Sequence, residues 1–285
     1  MVVLTMNRNW IVVLFIGSFV AGRSAREFFC EFKNDGVFEE SVEQSLRRLD
    51  QHPFAHFDDC EDAFQKGFTM SGVYRIKPKA SFRPFQVWCD MESEGGGWTL
   101  IQTRYDGLTD FFRNWQEYRN GFGSVDSEHW LGNNFIHQLT ENYDYQLKIE
   151  VTGFQANEFA FAKYSPFRVG SEDENYILSV GNFTREGQIS DSLTTHNGCM
   201  FSTKDKNNDG HSCANLFQGA WWYRACYMSN LNGIWMSKLR SLETRGPQSP
   251  ENSIGITFVN AFNVPFYSLK NVEMKVRRMR RDVRD

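Results

Sequence analysis

Alternating apolar and polar positions predict several β-strands in the middle of the chain. The predicted strands are residues 72–76, 85–89, 98–104, 145–152 and 159–164. The three glycines at 95–97 interrupt the pattern just before the third strand. From Ser165 onward the alternation weakens, and we expect loops to dominate.

Helical patterns lie between these strands. Residues 60–71 carry two phenylalanines four positions apart and end in Ser71-Gly72, which predicts a short helix and a turn. Residues 115–122 and 128–139 also show helical patterns. Strands and helices mixed in this way predict an α+β fold with an antiparallel sheet.

The first 22 residues have the pattern of a secretory signal peptide. Arg8 lies in a short polar lead, and an apolar run extends from Trp10 to Ala21. The run is too short to span a membrane, so a signal anchor is the lesser alternative. We expect cleavage near Gly22, with Ala25 as the second choice, and a secreted, extracellular mature protein without a membrane span.

Residues 23–56 form a leader segment before the main domain. Within residues 37–50, Val42, Leu46 and Leu49 follow the i, i+4, i+7 spacing of a short amphipathic helix. The pattern is too short for a coiled coil. No Gly-X-Y repeat is present, so a collagen-like stalk is excluded.

The composition is typical of one globular domain. The chain has 285 residues, of which 41% are hydrophobic, and 31 basic residues against 35 acidic ones give a net charge of −4. This charge argues against a nucleic-acid partner. The basic residues at 277–281 extend into a C-terminal tail, residues 279–285, which we interpret as solvated, with weak polyanion binding as the alternative.

An acidic loop is the first candidate for special chemistry. Asp205, Asn207 and Asp209 alternate before Gly210, like the start of an EF-hand loop. The twelfth position of that loop is Leu216 instead of glutamate, and no helical pattern flanks the loop, so an EF-hand is excluded. A different calcium loop and an Asx-rich surface turn both remain open.

Six cysteines after a signal peptide indicate an oxidising compartment and disulfide bonds. Cys213 and Cys226 lie 13 positions apart on either side of an aromatic run. A disulfide there would contribute roughly 3 kcal/mol in the chain-entropy model. His211 is the one histidine nearby, which argues against zinc.

Enzyme motifs are missing from the sequence. It has no Gly-x-Ser-x-Gly elbow, no His-Glu-x-x-His helix and no dinucleotide fingerprint. His129 and His137 are eight positions apart and are interpreted as packing or surface residues. We expect no catalysis. Asn182 begins an Asn-Phe-Thr sequon and should lie at the surface if it is glycosylated.

Six segments carry a family resemblance. They are FSTKDKNND (201–209), CANLFQGAWWYRACYMSNLNG (213–233), CDMESEGGGWTLIQTR (89–104), EYRNGFG (117–123), EHWLGNNFIHQLT (128–140) and YSLKNVEMKVR (267–277). Together they resemble the fibrinogen C-terminal-like domain of ficolins, tachylectins, angiopoietins and fibrinogen chains, over residues 57–278. The GAWWY segment is most similar to ficolins and tachylectins. The resemblance implies a central twisted antiparallel sheet, short helices and a loop-rich C-terminal binding subdomain.

The resemblance also implies two disulfide pairs. These are Cys60–Cys89 and Cys213–Cys226. Cys30 and Cys199 remain, and two readings are open for them. They pair with each other, which we favour, or Cys30 links two chains. The protein is then a monomer or a small disulfide-linked oligomer.

In similar lectins a calcium ion sits beside the ligand pocket. The implied ligands here are Asn207 and Asp209, with backbone carbonyls near His211. Asparagine replaces the first ligating aspartate, and the loop before Cys213 is about two residues shorter than in the family. Losing one carboxylate should weaken or abolish calcium binding, since affinity depends on ligand charge. Asp205 could compensate.

The pocket itself is expected to bind an acetyl group. The resemblance implies a cis peptide bond at Ala225–Cys226, whose backbone N–H groups face the acetyl oxygen. Phe217 matches a pocket wall of ficolins. Tyr227 replaces a usual histidine and Phe258 a usual tryptophan, so the wall stays aromatic.

These features predict a secreted recognition protein that binds acetylated glycans in innate defence. The fibrin knob-binding hole uses acidic residues where Leu216, Phe217 and Ser253 stand here, so fibrin polymerisation is not expected. The alternatives are a secreted ligand for a protein receptor, as in angiopoietin-like proteins, and an extracellular matrix or adhesion module.

Overall fold

The computed structural model describes residues 4–6, 10–12, 56–243, 254–264 and 267–279. At the N-terminus, β1 (Leu4–Met6) pairs with β2 (Trp10–Val12) in antiparallel fashion. The predicted cleavage position, the helix at residues 37–50 and Cys30 lie outside the described residues. The signal peptide and the leader segment therefore stay predictions. No helix among the described residues is long and apolar enough to cross a membrane.

The main domain is built around one antiparallel sheet. Its elements, in chain order, are α1 (Cys60–Gln65), β3 (Gly72–Ile76), β4 (Phe85–Asp90), β5 (Trp98–Arg104), α2 (Trp115–Asn120), β6 (Phe122–Gly123), β7 (His129–Trp130), α3 (Asn133–Thr140), β8 (Tyr145–Thr152), β9 (Phe159–Val169), β10 (Leu178–Glu186), α4 (Cys213–Leu216), β11 (Ser229–Asn230), α5 (Lys238–Glu243), β12 (Thr257–Phe258) and β13 (Asn271–Arg278). Short 3₁₀ turns lie at residues 93–95, 194–196 and 261–263.

The strand order explains which residues form the core. The main path of the sheet runs β10-β9-β8-β13-β5-β4-β3, and β7 pairs with both β5 and β6. The C-terminal strand β13 therefore lies at the centre, between β5 and β8. Trp98, Trp130 and Trp222 are fully buried, and Phe201 packs against the last two with ring centroids 6.1 and 5.1 Å away.

All five predicted strands are present, but the C-terminal half contains more sheet than expected. β9 continues to Val169, and β10 and β13 were not predicted as strands. In β10 most residues after Val180 are exposed, so this half of the strand has no buried face and the alternation is lost. The expectation that loops dominate after Ser165 was therefore wrong for these segments.

The predicted helices are shorter than expected. Asp59 caps α1 by accepting a hydrogen bond from the backbone N–H of Asp62 at 2.7 Å, and the helix ends at Gln65 instead of residue 71. The prediction for residues 128–139 was wrong at its start. His129 and Trp130 form β7, and α3 begins only after Gly132, whose φ of +109° interrupts a helix.

Both disulfides implied by the resemblance are present. Cys60–Cys89 joins the start of α1 to β4, and Cys213–Cys226 joins α4 to the loop that follows the aromatic run. Cys199 is half-buried and has no disulfide partner among the described residues, and burial raises the pKa of its thiol. Its pairing with Cys30 stays a prediction. Asn182 lies on β10 with its side chain exposed, as a glycosylation site requires.

Candidate functional site

Two polar side chains of β5 support the Asn-rich turn that follows the aromatic run. Gln102 donates through Nε2 to the carbonyl of Leu231 at 3.2 Å and to Oδ1 of Asn232 at 2.6 Å. Arg104 donates through Nη1 to the carbonyls of Leu231 and Gly233, at 3.1 and 2.8 Å. The central sheet thereby fixes the backbone of the turn.

Arg104 is itself held by a buried carboxylate. Its Nε lies 3.8 Å from Oε1 of Glu128, and the guanidinium stacks 3.7 Å from the ring centroid of Phe111. Burial lowers the pKa of Arg104 to about 10, against the opposing charge of Glu128, so the guanidinium remains charged at neutral pH. Burial raises the pKa of Glu128, but backbone N–H groups, including that of Thr109, outweigh it, so the net shift is downward.

Side-chain amides connect this turn to the aromatic run. Asn230 accepts a hydrogen bond from the hydroxyl of Tyr223 at 2.8 Å and donates to the carbonyl of Phe217 at 3.2 Å. Asn232 donates to the carbonyl of Ala220 at 3.0 Å. These bonds fix the backbone on both sides of Trp221 and Trp222.

His196 is a second buried support. Its Nδ1 lies 2.7 Å from the carbonyl of Trp222, and its Nε2 accepts hydrogen bonds from the backbone N–H groups of Met228 and Ser229 at 3.1 and 3.2 Å. Since Nε2 accepts, the ring is neutral and Nδ1 donates. Burial lowers the pKa of His196 to about 4, and the positive charge of Arg224 adds to the shift.

The acidic loop is tied to the disulfide through Asp209. Oδ1 of Asp209 accepts hydrogen bonds from the backbone N–H groups of His211 at 2.8 Å and Cys213 at 3.2 Å. Asn207 accepts from the backbone N–H of Gly210 at 3.0 Å and donates to the hydroxyl of Ser212 at 3.2 Å. The loop is thus a hydrogen-bonded turn that leads directly into α4.

Asp205 does not join these residues. Its Oδ1 accepts from the backbone N–H of Trp115, the first residue of α2, at 2.8 Å and from the hydroxyl of Thr203 at 2.7 Å. The carboxylate therefore bonds to the first turn of α2, whose N-cap is Asn114, and the compensation of Asn207 by Asp205 stays a prediction.

One atom of the loop suits a cation. Oδ2 of Asp209 is buried and has no hydrogen-bond partner among the described residues. An unpaired buried carboxylate oxygen is costly, so a bound cation would stabilise it. Asn207 retains a second lone pair on Oδ1. Within the described chain no three His, Cys, Asp or Glu side chains cluster as metal ligands, so a calcium ion would rely on one carboxylate, an amide and backbone carbonyls.

The predicted pocket residues partly come together. The rings of Phe217 and Tyr227 meet edge to face, with centroids 4.9 Å apart and planes at 88°, and both are half-buried. Ala225 is exposed beside them, and its peptide bond to Cys226 is cis. Phe258 differs from the expectation. It has 0% exposure within β12, which pairs with β11, so its side chain is not open to a ligand.

Our interpretation of the sequence missed the residues that support the pocket. Gln102 and Arg104 carry the clearest signal, because a glutamine and an arginine occur in a predicted central strand that also contains Trp98, Leu100 and Ile101. His196 carried no signal apart from its place shortly before the aromatic run. The two histidines that we interpreted as packing or surface residues behave accordingly. His129 is buried and its Nδ1 lies 2.9 Å from the carbonyl of Ser127, and His137 contacts the carbonyl of Val169 at 3.0 Å.

The chain is similar to proteins of known family. The model of the C-terminal globular domain of fibrinogen β and γ chains matches residues 56–279. Fibrinogen-like protein 1 of Rattus norvegicus is 40% identical over 238 residues, which cover 78% of this chain and 72% of that protein. Ryncolin-4 of Cerberus rynchops is 46% identical over 179 residues, which cover 62% of this chain and 51% of ryncolin-4.

Solved structures agree with this similarity. The fibrinogen-like globe domain of human ANGPTL2 has a TM-score of 0.71 and 38% identity, and covers 78% of this chain and 99% of its own. The corresponding domain of human ANGPTL6 has a TM-score of 0.71 and 34% identity, over 80% and 97%. A lamprey fibrin D-dimer complexed with the peptide Gly-His-Arg-Pro-amide has a TM-score of 0.69 and 29% identity, over 88% and 86%. The chain therefore belongs to the family of the C-terminal globular domain of the fibrinogen β and γ chains.

Proposed function

We propose that this chain is a secreted lectin-like protein that binds acetylated glycans through the pocket at Phe217 and Tyr227. Membership of the family makes it a non-enzymatic recognition protein. We propose, beyond family membership, that it binds an acetylated ligand and acts in innate defence. We also propose that it is secreted and is a monomer or a small oligomer.

The Phe217–Tyr227 pair is the observation that carries this proposal. Two half-buried rings that meet at right angles present apolar surface next to Ala225 and Cys226 in the chain, and Ala225 is exposed. An acetamido group needs an apolar contact for its methyl and a hydrogen-bond donor for its oxygen. The aromatic corner and the adjacent Ala225–Cys226 peptide offer these two kinds of contact next to each other.

Calcium would act on this pocket through the loop. Asp209 would hold the ion through its buried Oδ2, while its Oδ1 remains bonded to the N–H of Cys213, the partner of Cys226. A bound ion would thereby rigidify the connection between the acidic loop and the pocket. With Asn207 in place of a carboxylate, we expect weak calcium affinity.

The experiment is retention of the purified protein on an acetylated resin, with calcium and then with chelator. We expect retention that free N-acetylglucosamine reverses and that glucosamine, which lacks the acetyl group, does not. A decrease with chelator would support calcium at Asn207 and Asp209. A folded sample that passes through in both conditions would contradict the acetyl-glycan proposal.

A receptor ligand is the second candidate. Leu216 is 56% exposed beside the half-buried Phe217, so an apolar side chain is open to a partner at this surface. Such a surface favours a protein partner. Similarity to the ANGPTL globe domains agrees with it. A cationic peptide of the kind held in the lamprey fibrin complex is disfavoured, because Leu216 and Phe217 supply no carboxylate.

A further inference from the structure

The hairpin formed by β3 and β4 carries an unusual concentration of positive charge. Arg75, Lys77, Lys79 and Arg83 lie within nine positions, and no acidic residue occurs between Ser71 and Cys89. The chain as a whole has a net charge of −4, so this segment has the opposite sign to its surroundings. We call these four side chains the basic hairpin.

The charges of the basic hairpin are available for a ligand. All four side chains are exposed. In the described part of the chain, the side chains of Arg75, Lys77 and Arg83 form no ion pair or hydrogen bond. These cations lie together at the end of β3 and in the loop that joins it to β4.

The loop at the tip of the hairpin is fixed. The backbone N–H of Ser81 donates to the carbonyl of Pro78 at 2.8 Å, and its hydroxyl donates to the carbonyl of Arg83 at 2.7 Å. Pro78 and Ser81 are both buried. The cations are therefore presented on an ordered backbone, which lowers the entropic cost of binding.

A fifth cation joins the basic hairpin through Tyr143. Lys79 Nζ lies 4.9 Å from the ring centroid of Tyr143, and the guanidinium of Arg278, the last residue of β13, lies 4.6 Å from the same ring. The nearest carboxylates are engaged. Asp58 accepts a hydrogen bond from the hydroxyl of Tyr143 at 3.1 Å, and Asp59 is buried and lies 3.5 Å from Arg278 Nε.

The geometry points to a sulfated polysaccharide as the ligand of the basic hairpin. Arg75 near the end of β3, and Lys77 and Lys79 in the loop after it, are exposed and alternate with the buried Ile76 and Pro78, so these cations follow one side of the chain. A linear polyanion matches a row of cations, and guanidinium groups bind tetrahedral oxyanions with paired hydrogen bonds. Phe82, at the tip, is 98% exposed and offers a ring for stacking against a sugar.

An anionic membrane fits these observations less well. Phe82 is a single aromatic side chain, and burying one such group contributes only about 1.5–3 kcal/mol. The flanking exposed side chains are cations along the ribbon, without a second large apolar group at the tip. The inference does not depend on the acetyl pocket, because the basic hairpin is built by β3 and β4 and the pocket by the loops after β10.

The test is binding of the full mature chain to immobilised heparin, measured against salt concentration. We compare Lys77→Ser/Arg83→Ser with Lys238→Ser/Lys270→Ser, a control pair of exposed lysines that removes the same net charge elsewhere. We expect wild type and control to bind alike, and the hairpin variant to bind roughly tenfold more weakly with a shallower salt dependence. Circular dichroism would check that each variant is folded.

Four results would overturn the inference. The first is that the folded wild type is not retained on heparin, and the second is an equal loss of heparin binding in both double variants. The third is loss of heparin binding when Arg280 and Arg281 are changed to serine while the hairpin variant still binds. The fourth is binding to anionic vesicles that Phe82→Ser abolishes, with no binding to heparin. The second result would indicate that heparin binding depends on net charge alone. The third would place the heparin site in the C-terminal tail, and the fourth would indicate that the hairpin binds a membrane surface.

Discussion

The central sheet and the pocket loops are held together in different ways. β13 pairs with β8 in continuous register from Asn271 opposite Thr152 to Arg278 opposite Tyr145. In the loops, β11 and β12 pair only at Ser229–Phe258 and Asn230–Thr257. The backbone there is fixed instead by particular side chains, by a disulfide and by one buried histidine.

The sheet and the pocket loops therefore differ in how well they tolerate substitutions. A buried apolar residue of a strand can be replaced by another apolar residue of similar size at modest cost. Gln102, Arg104 and His196 each form hydrogen bonds with buried groups of the loops, so the loss of any of them removes partners from buried polar atoms. The pocket should therefore be more sensitive than the sheet to single polar substitutions.

The largest effect is expected from Arg104→Leu. The change removes both hydrogen bonds to the Asn-rich turn and leaves Glu128 without its buried counter-ion. We expect the free energy of unfolding to fall by about 3–5 kcal/mol. Urea denaturation would measure it, with Arg75→Leu on exposed β3 as a control that should change stability by less than about 0.5 kcal/mol. Equal stability of the two variants would contradict this role of Arg104.

Removing each disulfide in turn distinguishes effects on stability from effects on glycan binding. Replacing Cys213 and Cys226 by serine opens a span of 13 residues, and replacing Cys60 and Cys89 opens one of 29. The chain-entropy model gives losses of about 3 and 3.6 kcal/mol. Only the first pair lies beside the pocket, so we expect only its removal to abolish glycan retention in the folded fraction. Equal retention by both variants would argue that the pocket lies elsewhere.

His196 should make the loops sensitive to acid. The fold binds its neutral form, so its folded pKa of about 4 lies below the ordinary value of 6.5. The stabilisation is fully present above pH 6.5 and is lost as pH falls toward 4. At about 1.4 kcal/mol per pKa unit, the loss reaches about 3 kcal/mol.

The contribution of His196 to the pH dependence of stability is the difference between wild type and His196→Gln. His196→Gln keeps one donor and one acceptor but does not titrate, so unfolding measured between pH 7 and pH 4 should show a flatter pH dependence than wild type. The buried His129 has a lowered pKa in both proteins and cancels in the difference. Identical pH profiles for the two proteins would show that His196 does not couple to folding.

The smallest effect is expected in the acidic loop and concerns calcium. Asp209→Asn removes the buried unpaired oxygen charge, whereas Asp205→Asn changes a carboxylate that bonds to the first turn of α2. We expect calcium affinity to fall at least about tenfold in the first variant and to stay unchanged in the second. Calorimetric titration with calcium would measure both. A loss in the Asp205 variant alone would place the ion on the other side of the loop.

The sequence alone predicts the strands in which apolar and polar residues alternate. Residues 72–76 and 85–89 alternate between more exposed and less exposed positions, and both were predicted as strands. Residues 98–104 were also predicted as a strand, although nearly all of them are buried. β10 was missed because its second half has no buried face. The family resemblance, not the period, supplied both disulfides and the residues Phe217 and Tyr227.

The support of the pocket could not be predicted from local pattern. Gln102 and Leu231 are 129 positions apart, and His196 and Met228 are 32 apart. Such bonds depend on the three-dimensional path of the loops. The hydrogen bond between Asp205 and Trp115 could not be predicted for the same reason, because Trp115 lies 90 positions earlier in the chain.

The most direct test of the account compares Phe217→Ala with Leu216→Ala on the acetylated resin. Phe217 forms half of the proposed pocket wall, and Leu216 is its more exposed neighbour outside the ring pair. We expect Phe217→Ala to abolish the retention that free N-acetylglucosamine reverses. We expect Leu216→Ala to be retained like wild type. Undiminished retention of the folded Phe217 variant would contradict the proposal that this pocket holds the acetyl group.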